Sequence, residues 1–175
     1  MLAFAELFWI IILLFYFSFD FILSTSVKRI KFSKNKRKSE FPLSIIIAAK
    51  NEAVNLIDNL PLILNQNYSK FEVTVINDQS DDDTERILKS FAKQYEHFKC
   101  LDVNPKIKSS KKKALDLGIK SALYEHLIFT DADCKPLTNS WLKIMQTYFS
   151  DKNPIVLGFS PYQKKNRFFK CTYSL

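Results

Sequence analysis

Leu43-Ser44-Ile45-Ile46-Ile47-Ala48-Ala49-Lys50-Asn51-Glu52 decides the fold. Its first seven residues are apolar apart from one serine, and β-branched at the centre. A short apolar run of this kind is typical of a strand covered on both faces. The polar Lys50-Asn51-Glu52 marks its end. Residues 53–66 then place Leu56, Ile57, Leu60 and Ile63 or Leu64 at helical spacing, with Pro61 weakening or kinking the helix.

The same alternation continues along the chain. Residues 71–76 read as a second strand. Residues 82–95 read as a helix with Ile87, Leu88 and Phe91 inward and a start rich in Asp and Thr, as caps prefer. A third, weaker strand is expected over 99–103, a helix over 111–124 and a fourth strand over 126–130. Another helix is expected over 137–149, and a further strand begins at 154–157. Strands alternating with helices predict right-handed βαβ units and a largely parallel sheet.

In an open parallel sheet, ligands bind beyond the carboxyl ends of the strands. Three of those ends are acidic or polar here: Lys50-Asn51-Glu52, then 77–84 (NDQSDDDT), then Asp131-Ala132-Asp133. Single acidic turns are common, so their convergence on one rim is the signal. Clustered carboxylates repel unless a cation sits between them, and oxygen ligands suit Mg²⁺ or Mn²⁺. Asp131 and Asp133, spaced i, i+2, are the candidate metal ligands. The bland reading has them capping the following turn. Asp81 to Thr84 read as a helix N-terminus satisfying its own N–H groups, whereas Asp78 follows the strand directly and can face the pocket. Lys111, Lys112 and Lys113 open a helix, where cations are unfavourable. That suggests an anionic neighbour such as a diphosphate, although a solvated basic face accounts for at least two of the three.

Composition narrows the class. The chain has 175 residues, sixteen Phe and seven Tyr, enough for one packed domain and an appendage. Gly118 and Gly158 are its two glycines. A Rossmann fingerprint or a Walker loop needs more. The net charge of +8 is concentrated in Lys28, Arg29, Lys31, Lys34, Lys36, Arg37 and Lys38, which argues for a local role and against nucleic acid. Cys100, Cys134 and Cys171 are odd in number and widely spaced, so neither a disulfide framework nor a zinc site is expected, and a reducing compartment is the simpler setting. His97 and His126 read as ordinary surface or strand-edge residues.

Residues 7–19 are almost unbroken apolar, and with Leu2 and Leu23 the run reaches about 20 residues, the length of a membrane span. No Lys or Arg precedes it and seven follow, unlike a cleaved signal peptide. A transmembrane helix is expected over 1–25, a basic juxtamembrane linker over 26–41 and the body over 42–175. The charge bias predicts a single-pass protein of the plasma (inner) membrane with its body on the cytoplasmic side. A buried core helix is the alternative.

Four segments resemble the family 2 glycosyltransferases, which have a GT-A fold. SIIIAAKNEAVNL is similar to their first strand and N-E turn. FEVTVINDQSDDDT is similar to their second strand and its D-x-S-x-D-x-T turn. KKKALDLGIKSA resembles their lysine-containing helix, and LIFTDADC their strand ending in D-x-D. The resemblance runs over about 42–160. It implies a GT-A-like, Rossmann-like, mostly parallel α/β sheet with flanking helices. It also implies a nucleotide-diphosphate sugar donor, a glycan or lipid-linked acceptor, a membrane association and a Mg or Mn cofactor. Glu52 and Asp78 would contact base and ribose, and Lys112 of the lysine triplet would lie near the nucleotide. Asp131 would approach ribose, diphosphate or metal, and Asp133 would ligate the metal. The family's reaction is an inverting displacement at the anomeric carbon. Its general base and acceptor-side motif lie beyond the D-x-D, so both are expected past Leu175 and the chain is expected to be a truncated piece with weak or no transfer activity. Two alternatives stand beside this: a non-catalytic, membrane-tethered nucleotide-sugar-binding remnant, and a nucleotidyltransferase, for which KNEAVN is a poor phosphate loop.

Overall fold

The computed structural model describes the backbone of residues 2–28, 40–106, 108–150, 154–158, 162–165 and 168–173, and the side chains of 6–22 and of the body as far as 158. Most of the expected basic linker, 29–39, lies outside the described residues. Two compact units are present, Met1–Lys34 and Asn35–Leu175. The first contains α1 (Leu2–Lys28), whose described side chains are almost all apolar and exposed, Phe15 at 73%. The transmembrane helix expected at 1–25 is seen here as a helix only. Among the described residues, no helix is long and apolar enough to cross a membrane.

The second unit is built on a parallel sheet in the order β3-β2-β1-β4. These strands are β1 (Leu43–Ala49), β2 (Phe71–Asn77), β3 (Phe98–Asp102) and β4 (His126–Asp131). β1 lies between β2 and β4, with Ile45 level with Val73 on one side and Ile128 on the other. The period of two sends alternate side chains of β1 to opposite faces. Leu43, Ile45, Ile47 and Ala49 pack with α2 (Ala53–Leu64), α3 (Thr84–Gln94) and α5 (Trp141–Gln146). Ile46 packs the other way, with Ile76 and with Ala114 of α4 (Lys111–Ser121). Covering both faces explains why β1 is apolar at nearly every position. Each fully buried Ile or Leu contributes about 1.5–3 kcal/mol.

Gly118 shows how closely α4 lies on the sheet. A Cβ added there would stand 2.5 Å from Ile46 Cγ2 and 2.7 Å from Ile76 Cδ1. The glycine therefore lets α4 lie close against β1 and β2, which helps bring its first residue, Lys111, to the carboxyl ends of the strands.

Other elements differ from the sequence reading. α2 continues through Pro61. α5 is short, and 154–158 carries no strand. A second sheet, in the order β5-β7-β6, was not anticipated. Its strands are β5 (Cys134–Pro136), β6 (Tyr162–Lys165) and β7 (Phe168–Tyr173). β5 pairs parallel to β7 and β6 pairs antiparallel to it. Strands of three to six residues leave little periodic signal, and β5 pairs with β7 across a long sequence separation.

Candidate functional site

From β1 the chain moves through β2 to β3, then returns to the other side of β1 as β4. The carboxyl ends of β1 and β4 are thus the topological switch point, where such sheets open a crevice. A cavity of about 290 Å³ lies there, lined by Ala48, Ala49, Lys50, Glu52, Asp78, Lys111, Asp131, Ala132 and Asp133. A larger cavity, about 670 Å³, runs along β4 and 154–158. Its walls are mostly apolar and lack convergent charged groups, so the smaller one is the chemical candidate.

The first two turns hold each other. Asn51 and Gln79 both take left-handed backbone, φ 56° and 57°, a region in which Asn is enriched among non-glycine residues. The Asn51 N–H donates to Ser80 Oγ at 2.9 Å and the Glu52 N–H to Thr84 Oγ1 at 3.0 Å. The Asp81 N–H in turn donates to Asn51 Oδ1 at 2.8 Å. Asp82 accepts from the N–H groups of both Ala53 and Thr84, at 3.1 and 3.0 Å. Its carboxylate caps the start of α2 as well as that of α3. Burial works to raise its pKa, but the bonds from Thr84 and Ala53 outweigh this and hold it below the ordinary aspartate value. The structural reading of 81–84 therefore stands, with a cross-turn role added.

Of the residues singled out from the sequence, Glu52, Asp78, Asp131 and Asp133 line this cavity. Asp78 is 4% exposed, and its N–H donates to the Ala49 carbonyl at 2.8 Å. One carboxylate oxygen, Oδ2, accepts from Ser109 Oγ at 2.9 Å, and Ser109 accepts from Lys50 Nζ at 2.8 Å. The other, Oδ1, is buried without a hydrogen-bond partner. A buried unpaired oxygen costs about 1–3 kcal/mol, and one on a cavity wall is a place for a ligand donor. Glu52 precedes α2, with Oε2 2.6 Å from Asn55 Nδ2. Lys111 pairs with Asp131 at 2.6 Å. Lys111, and not the expected Lys112, is the lysine of the triplet that lines the cavity. The helix phase makes this choice, since the first residue of α4 faces β4.

Asp131 and Asp133 bracket a tight turn that leads into β5. Ligand atoms of Asp131, Asp133 and Cys134 lie within 4.8 Å of one another. Cys134, however, is disulfide-bonded, and β5–β7 register sets it level with Cys171. This corrects the expectation of unpaired thiols, and a disulfide sulfur offers no thiolate. What remains is a pair of carboxylates, a donor set that fits Mg²⁺ or Mn²⁺.

Some positioning residues were missed. Ser109 falls outside any recognisable turn motif. Asn59, 1% exposed on α2, donates from Nδ2 to the Ala132 carbonyl at 3.0 Å. A polar residue on the apolar face of a predicted helix was the available signal. The histidines are structural: His126 stacks on Phe41 at 4.1 Å, and His97 Nε2 lies 3.1 Å from the Leu64 carbonyl.

Residues 44–174 match the family model described as Glycosyl transferase family 2. The chain belongs to that family. It is 32% identical over 130 residues to a poly-beta-1,6-N-acetyl-D-glucosamine synthase of Staphylococcus epidermidis, covering 74% of this chain and 30% of that protein. It is 33% identical over 103 residues to glycosyltransferase AglE of Haloferax volcanii, covering 58% and 33% respectively. The chain thus spans about a third of the length of these curated relatives. Among solved structures, the mannosyltransferase PcManGT of Pyrobaculum calidifontis, in complex with GDP-Man and Mn²⁺, superposes with a TM-score of 0.64 at 22% identity, covering 79% of this chain and 40% of that one. S. aureus TarS 1-349 superposes at 0.51 and 22% identity, covering 59% and 30%. These likenesses establish the GT-A-like architecture of this family 2 member.

Proposed function

We propose that the chain binds a nucleotide-diphosphate sugar and contributes the donor half of a glycosyltransferase. One observation carries this reading: Glu52, Asp78, Asp131 and Asp133 come from three separate turns and line a single cavity at the switch point. The buried Asp78 Oδ1 would accept a hydrogen bond from the base or ribose, and Glu52 would supply a second acceptor. Lys111, already paired with a carboxylate, is placed to meet the diphosphate. Asp131 and Asp133 would hold Mg²⁺ or Mn²⁺, which would offset the charge that builds on the leaving diphosphate in an inverting displacement. The GDP-Man bound by the structural neighbour PcManGT supports a nucleotide sugar as the ligand class. The acceptor is proposed to be a glycan or lipid-linked envelope saccharide.

The same reading anchors the chain by α1, whose 27 residues would reach about 40 Å at 1.5 Å each. Its basic flank favours a cytoplasmic body. The Cys134 disulfide weighs the other way, since such bonds persist in oxidising compartments. Protease protection in vesicles of known orientation distinguishes the two.

Calorimetry with uridine and guanosine diphosphate sugars, with and without Mn²⁺, tests the proposal. Binding should be metal-dependent, and Asp133→Ala should abolish that dependence. Unchanged affinity in this variant would remove Asp133 as a ligand. No binding by the wild-type chain would sink the reading.

A further inference from the structure

Asn59 is an unusual residue for its place. It sits on the buried face of α2 with Leu56, Leu60 and Ile63, all about 1% exposed. Burying an amide without full pairing is costly. One half of this amide is unpaired, because Oδ1 has no partner. The other half makes the bond to the Ala132 carbonyl at 3.0 Å. Ala132 is itself buried, at 4%, between the two exposed or half-exposed aspartates. That carbonyl belongs to the peptide joining Ala132 to Asp133. Holding it fixes the plane from which the Asp133 side chain departs, and hence the angle between the two carboxylates. α2 is in turn tied at its start to the second turn, through the Ala53 N–H and Asp82.

We propose that Asn59 is a positioning residue for the metal-binding turn, setting the separation and direction of the Asp131 and Asp133 carboxylates from behind. The inference rests on the proposal that these two aspartates hold a divalent cation. An apolar residue would pack better on this face of α2, so the amide is retained at some cost in stability for what it does to the turn. Outer partners of ligand-bearing groups typically change metal affinity by about 10–100-fold when removed.

The test uses the full chain, with UDP and GDP titrated in the presence and absence of Mn²⁺, beside urea unfolding. In Asn59→Leu the Mn²⁺-dependent gain in nucleotide affinity should fall about tenfold. Metal-free nucleotide binding should not change, and the loss of the Mn²⁺ gain should appear in the folded protein whichever way the unfolding midpoint moves. A residue that merely stabilised the core would lower the midpoint and leave the Mn²⁺ gain intact, and that result overturns the inference. So does a gain equal to wild type. If Asn59→Leu does not fold, Asn59→Ser, whose hydroxyl is too short to reach the Ala132 carbonyl, should show the same selective loss; its failure to do so overturns the inference as well. Absence of any Mn²⁺ gain in the wild-type chain is a different failure, which removes the metal site itself and the inference with it.

Discussion

The two ends of the same parallel sheet each bury a carboxylate, and they treat it in opposite ways. At the amino end, Glu72 of β2 is 8% exposed. Ser44 Oγ donates to its Oε1 at 2.6 Å, the Leu123 N–H donates to the same oxygen, and Lys99 Nζ lies 3.0 Å from Oε2. Ser44 accepts in turn from the Tyr124 N–H at 3.0 Å. The cluster ties the loop after α4 to β1, β2 and β3, with both oxygens occupied. At the carboxyl end, Asp78 lines the cavity and is buried more deeply, yet keeps one oxygen, Oδ1, buried and unpaired. A saturated carboxylate contributes to stability, whereas an unsaturated buried one costs stability unless something outside the fold pairs with it. The amino-end carboxylate is fully paired within the fold, and the carboxyl-end one belongs to the site proposed to bind the donor.

Substitutions can break this contrast. Glu72→Ala should have the largest effect, lowering unfolding free energy by about 3 kcal/mol, because it strands the Ser44 hydroxyl and the Leu123 N–H. Lys99 adds little to that figure, since its ammonium reaches solvent. Nucleotide affinity of the folded fraction should not move. Asp78→Asn should do the reverse, with nucleotide affinity falling about tenfold by calorimetry and the urea midpoint unchanged or higher. Loss of stability in Asp78→Asn, or of binding in Glu72→Ala, would dissolve the distinction between the two ends.

The smallest expected effect is on acid stability. Burial works to raise the Glu72 pKa, but the bonds from Ser44, Leu123 and Lys99 outweigh it, so the folded value lies below the ordinary 4.5. A carboxyl lowered on folding contributes stability that is complete above its unfolded pKa and is lost as pH falls through the folded one. The wild-type urea midpoint should therefore drop more steeply below about pH 4.5 than that of Glu72→Gln. Parallel curves would show that the cluster is not charge-dependent.

Much of the first sheet was legible in the sequence, because strands covered on both faces are apolar runs with polar ends. β1, β2 and β4 announced themselves in this way, and their ends pointed to Glu52, Asp78, Asp131 and Asp133. What stayed hidden was non-local. Asp82 accepts from the Ala53 N–H at the start of α2, 29 residues earlier in the chain, and local cap rules assign it only to α3. The choice of Lys111 over Lys112 depends on the rotational phase of α4, which three consecutive lysines do not reveal. Asn59 and Ser109 act on the site from positions that carry no motif. The disulfide of Cys134 depends on a pairing of β5 with β7 that no periodicity foretold.

The mutual capping of the first two turns has one further consequence. The N–H groups of Asn51, Glu52 and Ala53 are already engaged by Ser80, Thr84 and Asp82 before any ligand arrives. The proposed nucleotide would therefore meet a preorganised wall, and little conformational entropy would be lost in setting it. Sequence change at Ser80 or Asp82 would be felt as weaker association, through a loosened scaffold, although neither side chain lines the cavity.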